Sequence, residues 1–266
     1  MIPATSPWQT LFGDSAAYEC FMGRWSLAAG TIFLDWLGPE RGLRWLDVGC
    51  GTGVFTELAL DRCAPAAMLA VDPAASQIKH AMTKSVARRA RFQVADAQAL
   101  PFPDHAFDVV VSALVINFIP DRPRAIAEMR RVARPDGAVA GYVWDFAADR
   151  APAGPLRLAM RDLGIAVPPS PGAEDCRLEN LQALFAQAGF ERIATTSIDV
   201  TLTFSDFDVF WKAQTPPYSP NTKAIAALPE SDRAKVIENV RERLSDRAGK
   251  LSCSARANAV KAHAPT

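Results

Sequence analysis

Three glycines at alternate positions, Gly49, Gly51 and Gly53, follow a short apolar run that ends in an acid, R-W-L-D-V-G-C-G-T-G-V-F from Arg44 to Phe55. A residue without a Cβ reaches positive φ and lets a bound molecule lie against the main chain. Asp72 closes a second apolar run, A-A-M-L-A-V-D, about twenty residues further on, where nucleotide-binding βαβ units place an acceptor for ribose hydroxyls. Asp96 closes a third, R-F-Q-V-A-D-A. By itself G-x-G-x-G suits a tight turn as well as a cofactor site. Three successive runs, each ending in an acid at βα spacing, point to a crevice that holds a ribose-bearing cofactor.

The elements that position these residues follow from periodicity. Strands are predicted near 43–48, 67–72, 91–95, 107–112 and 138–144. The intervening stretches have helical patterns, such as Val54, Phe55, Leu58 and Ala59 after the glycines. Such alternation predicts a parallel sheet covered on both faces. Asp121 and Pro123 open a helix as N-cap and first-turn proline. Its buried face is Ile126, Met129, Val132 and Ala133, and Arg124, Arg130 and Arg131 are read as its solvated face. Before the core, residues 1–40 carry an apolar helical stripe through Tyr18, Phe21, Met22 and Trp25, punctuated by Gly38-Pro39. After Asp149 the composition turns Pro-, Gly- and Ala-rich as far as Cys176, with one helix over 155–163, an insertion able to cap the site. A helix over 178–188 stops at Gly189. Ile198, Val200, Leu202 and Phe204 alternate as in a half-exposed strand. Phe207, Phe210 and Trp211 read as a short helix, residues 231–244 as a longer one, and 251–260 as a last strand.

The ordered set D-V-G-C-G-T-G, A-V-D-P, V-A-D-A-Q-A-L-P-F-P-D, F-D-V-V-V-S and R-R-V-A-R-P-D-G resembles class I S-adenosylmethionine (SAM)-dependent methyltransferases. The closest flavour is the ubiquinone/menaquinone-biosynthesis C-methyltransferase-like group. The likeness is strong over about Arg41 to Asp145 and weaker on both sides. It implies an α/β, Rossmann-like, seven-stranded, mostly parallel sheet with helices on both faces and the last strand antiparallel beside the fifth. One methyltransferase domain would span 1–266, with a helical cap (1–40), a SAM-binding core (41–148), an insertion (149–176) and a C-terminal part (177–266). SAM would be the cofactor and S-adenosylhomocysteine its product.

The resemblance also implies roles. Asp47 would order the glycine loop near the methionyl amine, which lies on Gly49, Gly51 and Gly53 while Cys50 fills the turn. Asp72 would accept from both ribose hydroxyls, as suits an ionised acid. Pro73 would pack near the adenine, with Gln77 on the ribose side. Asp96 would accept from the adenine amino group, Ala97 would donate through its backbone, and Ser112 would line the cofactor floor. The segment holding Tyr18 and Arg24 resembles one that folds over SAM, with Arg24 a candidate partner for its carboxylate.

A sulfonium methyl needs little more than an in-line nucleophile, so no catalytic triad is expected and none is visible. His80, His105 and His263 are unpersuasive as bases. Asn117 and Asp145, in loops after the fourth and fifth strands, are candidates for orienting an acceptor, and capping of their loops is an equal reading. Trp25, Trp144, Phe146, Phe207, Trp211 and Tyr218 suggest a small apolar or flat acceptor, or a cation held on π faces. Core packing explains each singly.

Of 266 residues, 49% are hydrophobic, and Lys plus Arg balances Asp plus Glu at 29 each. That neutrality argues against nucleic acid as partner, although a local patch can hide in it. Five scattered cysteines without C-x-x-C suit a reducing compartment, with no disulfide framework or zinc site. No signal peptide is read in M-I-P-A-T-S-P-W, and the longest apolar run, Val109 to Ile119, is too short to span a bilayer. A metal-independent cytoplasmic enzyme of unassigned oligomeric state is the expectation. Two rivals stay open: a SAM-binding regulator without turnover, and a nicotinamide oxidoreductase. The second lacks its third glycine, because position 54 is Val where G-x-G-x-x-G is needed.

Overall fold

The computed structural model describes residues 15–245 and 249–266, with side chains from residue 22 onward. Helix α1 (Ser15–Leu37) leads into β1 (Arg44–Val48), α2 (Val54–Cys63), β2 (Ala67–Asp72), α3 (Ala75–Ala81) and β3 (Arg91–Val94). Next come β4 (Phe107–Ala113), α4 (Arg122–Val132) and β5 (Ala133–Trp144). The C-terminal part adds α5 (Gly154–Asp162), α6 (Leu178–Gln187), β6 (Glu191–Phe204), α7 (Phe207–Gln214), α8 (Pro220–Ala226), α9 (Glu230–Leu244) and β7 (Leu251–His263). The seven strands form one sheet in the order β3-β2-β1-β4-β5-β7-β6. The first five are parallel, and β7 runs antiparallel between β5 and β6.

The chain order reverses between β1 and β4, so their carboxyl ends part and leave a crevice there. The strands that flank it are buried on both sides, which is why their sequences are nearly continuous apolar runs. Trp45, Val109, Val111, Tyr142 and Trp144 face one core cluster with Phe33, Phe55 and Leu156. Leu46, Val48, Val110, Val139 and Val143 face the other, with Ile126, Met129 and Phe185. Lys261 of β7 ties α1 down from the opposite end. Its ammonium donates to the Trp36 carbonyl at 2.7 Å and lies over the Trp36 ring, at the negative end of the helix.

Local chemistry sets the boundaries. Asp121 caps α4 by accepting from the Arg124 amide at 3.1 Å, and Gly189 at φ 77° ends the stretch after α6. Some expectations shift. β5 begins five residues earlier than the apolar run, and β6 seven residues before its alternation, because partner strands extend the pairing past the patterned residues. Helix α8 is an addition to the expected elements, since a Pro at its first turn is its sole sequence signal. The arginines of α4 are not simply solvated. Arg131 donates to Glu128, Asp104 and the carbonyls of Leu100 and Phe102, Arg124 to the Gln98 carbonyl, and Arg130 to Ala188. Arg124 and Arg131 fasten the helix-free loop between β3 and β4, and Arg130 ties α4 to the end of α6. Arg131 beside Glu128 holds that carboxyl below the usual range.

Candidate cofactor and acceptor site

The loop after β1 is built on positive φ, at 81°, 53° and 81° for Gly49, Gly51 and Gly53. Each has different surroundings. A Cβ on Gly49 would fall 2.5 Å from Val115, and one on Gly53 3.1 Å from the Phe92 ring. A Cβ on Gly51 would meet nothing within 4 Å. The first and third glycines are therefore packing positions, and the middle one opens onto free space.

Asp72, the last residue of β2, joins the two loops. One carboxylate oxygen accepts from the Gly51 amide at 3.0 Å and the other from the Ala74 amide at 2.8 Å. The Val71 carbonyl receives both Gly49 and Cys50 amides, at 2.7 and 2.9 Å. Beneath lies Asp47, fully buried, with one oxygen accepting from the Thr56 hydroxyl at 2.6 Å and the other without a partner among the described residues. Burial, and then repulsion from Asp72, outweigh the Thr56 bond and push the Asp47 carboxyl up to about 7. Burial likewise raises Asp72. Cys50 is buried beside Ala70 and Ile78 with its thiol pushed well up, by burial first and then by the two acids, a filler and not a nucleophile.

Asp96 stands exposed just past β3, where one oxygen accepts from the Gln98 amide N–H at 2.9 Å and both from its side chain. Ala97 is buried beside it, Pro73 is exposed at the turn after β2, and Gln77 is buried in α3. Ser112 is buried in β4 on the α4 side of the sheet, with its hydroxyl unpartnered among the described residues. Thr56, Leu114 and Val115 join the site without a signal in the sequence. Leu114 takes φ 62° and so turns Val115 over Gly49, a conformation that nothing in S-A-L-V-I-N foretells.

Residues 46–141 match the family model for a methyltransferase domain. The matched residues run from β1 to β5 and take in the glycine loop, Asp72 and Asp96. The chain is 40% identical over 109 residues to a malonyl-[acyl-carrier protein] O-methyltransferase of Halorhodospira halophila, covering 40% of this chain and 37% of that one. It is 38% identical over 111 residues to a ubiquinone/menaquinone biosynthesis C-methyltransferase of Paracoccus denitrificans, covering 40% and 44%. The chain thus spans less than half the length of these curated relatives. Among solved structures, a phosphoethanolamine N-methyltransferase of Haemonchus contortus in complex with SAM superposes with TM-score 0.60 at 18% identity, over 99% of this chain and 61% of that one. The YcgJ protein of Bacillus subtilis gives 0.56 at 18% over 90% and 98%, and the [4+2]-cyclase SpnF gives 0.54 at 21% over 89% and 80%. At such identities these likenesses speak for the fold, and the cyclase among them shows that the fold alone does not name the reaction.

Trp144 ends β5 and meets Trp25 of α1 edge-to-face at 6.2 Å, its indole nitrogen unpartnered among the described residues. With its amide oriented to satisfy both neighbours, Gln214 accepts from the Trp25 indole and donates to the Pro152 carbonyl, each at 3.2 Å. Trp211 stacks on Phe207 at 5.7 Å within the same apolar cluster, and Tyr218 sits half-buried on the turn before α8. Asn117 is buried and donates to the Pro171 carbonyl at 3.2 Å, clasping the 149–176 insertion, while its other amide atom stays unpartnered among the described residues. Asp145 accepts from the Ala148 amide at 3.1 Å in a turn. Both polar candidates are thus engaged as loop caps.

Arg24 is exposed, donates to the Thr203 carbonyl at 3.2 Å and lies over the Phe204 ring, so it is engaged with β6 and not with the glycine loop. The Tyr18 side chain lies outside the described residues. His105 and His263 bond carbonyls of Ala133 and Asp136 at the amino edge of the sheet, away from the loop. Among the described residues no helix is long and apolar enough to cross a membrane.

Proposed function

We propose that the chain is a SAM-dependent methyltransferase acting on a small, apolar or aromatic acceptor. The observation that carries this reading is the paired arrangement at the loop. Asp72 fixes the main chain of Gly51, whose Cβ side is open, while a buried Asp47 oxygen below has no partner among the described residues. A ribose with two hydroxyls and a methionyl ammonium fit these groups. Each Asp72 oxygen already takes one N–H and keeps a lone pair for a hydroxyl. Asp47, which burial biases toward its neutral form, gains a reason to ionise when an ammonium arrives. Gly49 and Gly53 let the loop pack against Val115 and Phe92, Cys50 fills it, and Pro73, Gln77, Asp96, Ala97 and Ser112 bound the remaining cofactor space. When bound, SAM supplies an electrophilic methyl carbon.

The remaining work is positional. Trp25 and Trp144 form an apolar wall that excludes water, and Asn117, Asp145, Trp211 and Tyr218 are the candidates for orienting the acceptor in line. The 149–176 insertion, clasped at Asn117, acts as the lid. Which atom accepts the methyl differs among the relatives, whose names include C-, O- and N-methyltransferases. The buried, unpaired state of Cys50, Cys63, Cys176 and Cys253 suits a reducing cytoplasm.

The test is calorimetric titration with SAM, S-adenosylhomocysteine and NADH, on the wild type and on Asp72→Ala. Binding of the first two, weakened at least about tenfold in the variant, supports the reading. Tight NADH binding alone would defeat it. Labelled-methyl transfer to a pool of small aromatic acceptors then separates an enzyme from a SAM-binding regulator.

A further inference from the structure

The sheet ends at β3, and the chain leading into that edge carries charge of one sign, with the exposed Asp96 just beyond it. Residues 73–95 hold Lys79, Lys84, Arg88, Arg89 and Arg91 and no Asp or Glu, in a chain whose charges balance overall. Arg89 is paired with Asp61 of α2 at 2.6 Å. Lys79, Arg88 and Arg91 are exposed and enter no ion pair among the described residues.

The backbone of the same edge is open. The Ala95 amide donates to the Asp72 carbonyl at 3.2 Å, so alternation turns the N–H and C=O of Phe92 and Val94 away from β2. Apolar surface lies alongside: Val94 is 49% exposed, and Met82, 61% exposed, lines a cavity of about 490 Å³ with Ala87, Arg91, Phe92 and Phe102. An edge with unpaired main-chain groups is a template for strand addition. A second copy of this chain would bring the same cations against themselves, so charge selects an anionic occupant.

We propose that the β3 edge and the cations of residues 79–91 dock an acidic, extended segment of a partner protein as an eighth strand. Alternate side chains of that segment would rest on Met82 and Val94 while its carboxylates meet Lys79, Arg88 and Arg91. This rests on the edge alone and is independent of the methyl-transfer reading.

The probe is a short fluorescein-labelled peptide alternating glutamate with valine, titrated with the full chain and followed by anisotropy. Expected is binding that weakens between about 0.05 M and about 0.5 M salt, and that falls at least about tenfold in Arg88→Glu/Arg91→Glu. Val94→Pro keeps every charge but removes an outward N–H, and it weakens binding comparably. Circular dichroism and thermal melts of both variants confirm that they fold. The proposal is overturned if the peptide fails to bind, or if Val94→Pro binds as the wild type does, which would leave a plain polyanion site. Tighter binding of a single-stranded oligonucleotide, or a dimer in sedimentation that Val94→Pro dissolves, overturns it in favour of nucleic acid or a second copy.

Discussion

Gly49 and Gly51 lie two residues apart in the same loop, and alanine at each is expected to fail for a different reason. Both have positive φ, 81° and 53°, so each substitution carries a backbone cost of about 1–2 kcal/mol. At Gly51 the new methyl would meet nothing within 4 Å, and that cost is the whole effect on the ligand-free protein. At Gly49 it would lie 2.5 and 2.6 Å from the two Val115 methyls and 2.9 Å from its Cβ, against about 3.5–4.0 Å for comfortable carbon contacts. Val115 is carried by the turn at Leu114, so relieving the contact means moving that turn. Overpacking of this kind costs a further 1–3 kcal/mol or so.

Urea unfolding of the ligand-free proteins should therefore show Gly49→Ala losing about 2–5 kcal/mol and Gly51→Ala about 1–2. SAM affinity should show the reverse emphasis. The Gly51 methyl would occupy the space assigned to the methionyl group, with an expected loss of at least about tenfold, or 1.4 kcal/mol. Equal stability losses at the two positions would refute the packing argument. Unchanged SAM affinity in a folded Gly51→Ala would refute the assignment of that space to the cofactor.

The Asp47 carboxyl, raised to about 7, gives a second prediction. The folded state holds its proton more tightly than the unfolded chain, so its favourable contribution is complete below about pH 4 and is lost as pH rises towards 7. Subtracting the stability profile of ligand-free Asp47→Asn from that of the wild type should expose this loss, with an upper bound of about 4 kcal/mol, by urea unfolding between those pH values. Third, SAM binding at about pH 7 should release a proton as Asp47 ionises, because an opposite charge close by favours the carboxylate over the neutral acid. Titrations in buffers of differing ionisation enthalpy read that proton, and Asp47→Asn should release less. Fourth, Arg157→Met strips the buried Asp149 of the 2.7 Å ion pair and frees the Pro168 carbonyl, leaving only the exposed Arg161. A loss of about 3 kcal/mol in denaturant unfolding is expected.

Much of the core and of the cofactor loop was legible because its constraints are local. A run of apolar residues ending in an acid and breaking into glycines can fold in few ways other than strand, tight turn and helix. Apolar runs that close on acids at Asp47, Asp72 and Asp96, with helical patterns between them, predict a parallel sheet and the edge where a ligand binds. Asp121 caps α4 as its sequence position implied, because an N-cap needs only three residues of chain. The aromatic residues were much less legible. Six aromatic residues could be named from the sequence, yet periodicity could not say that Trp25 and Trp144 would meet or that Trp211 would spend its face on Phe207.

Sequence by itself determined the strand–helix alternation, the glycine loop and the acids at its rim, since each is set by residues within one or two turns of chain. Tertiary structure decided which glycine is packed and which is open, because that depends on Val115 arriving from a loop after β4. It decided that Asn117 clasps the insertion and that Arg24 leans on β6. It also set the Asp47 proton equilibrium, which comes from burial beneath Asp72. Each of these is a contact between residues far apart in the chain, and their placement depends on how the sheet closes around them.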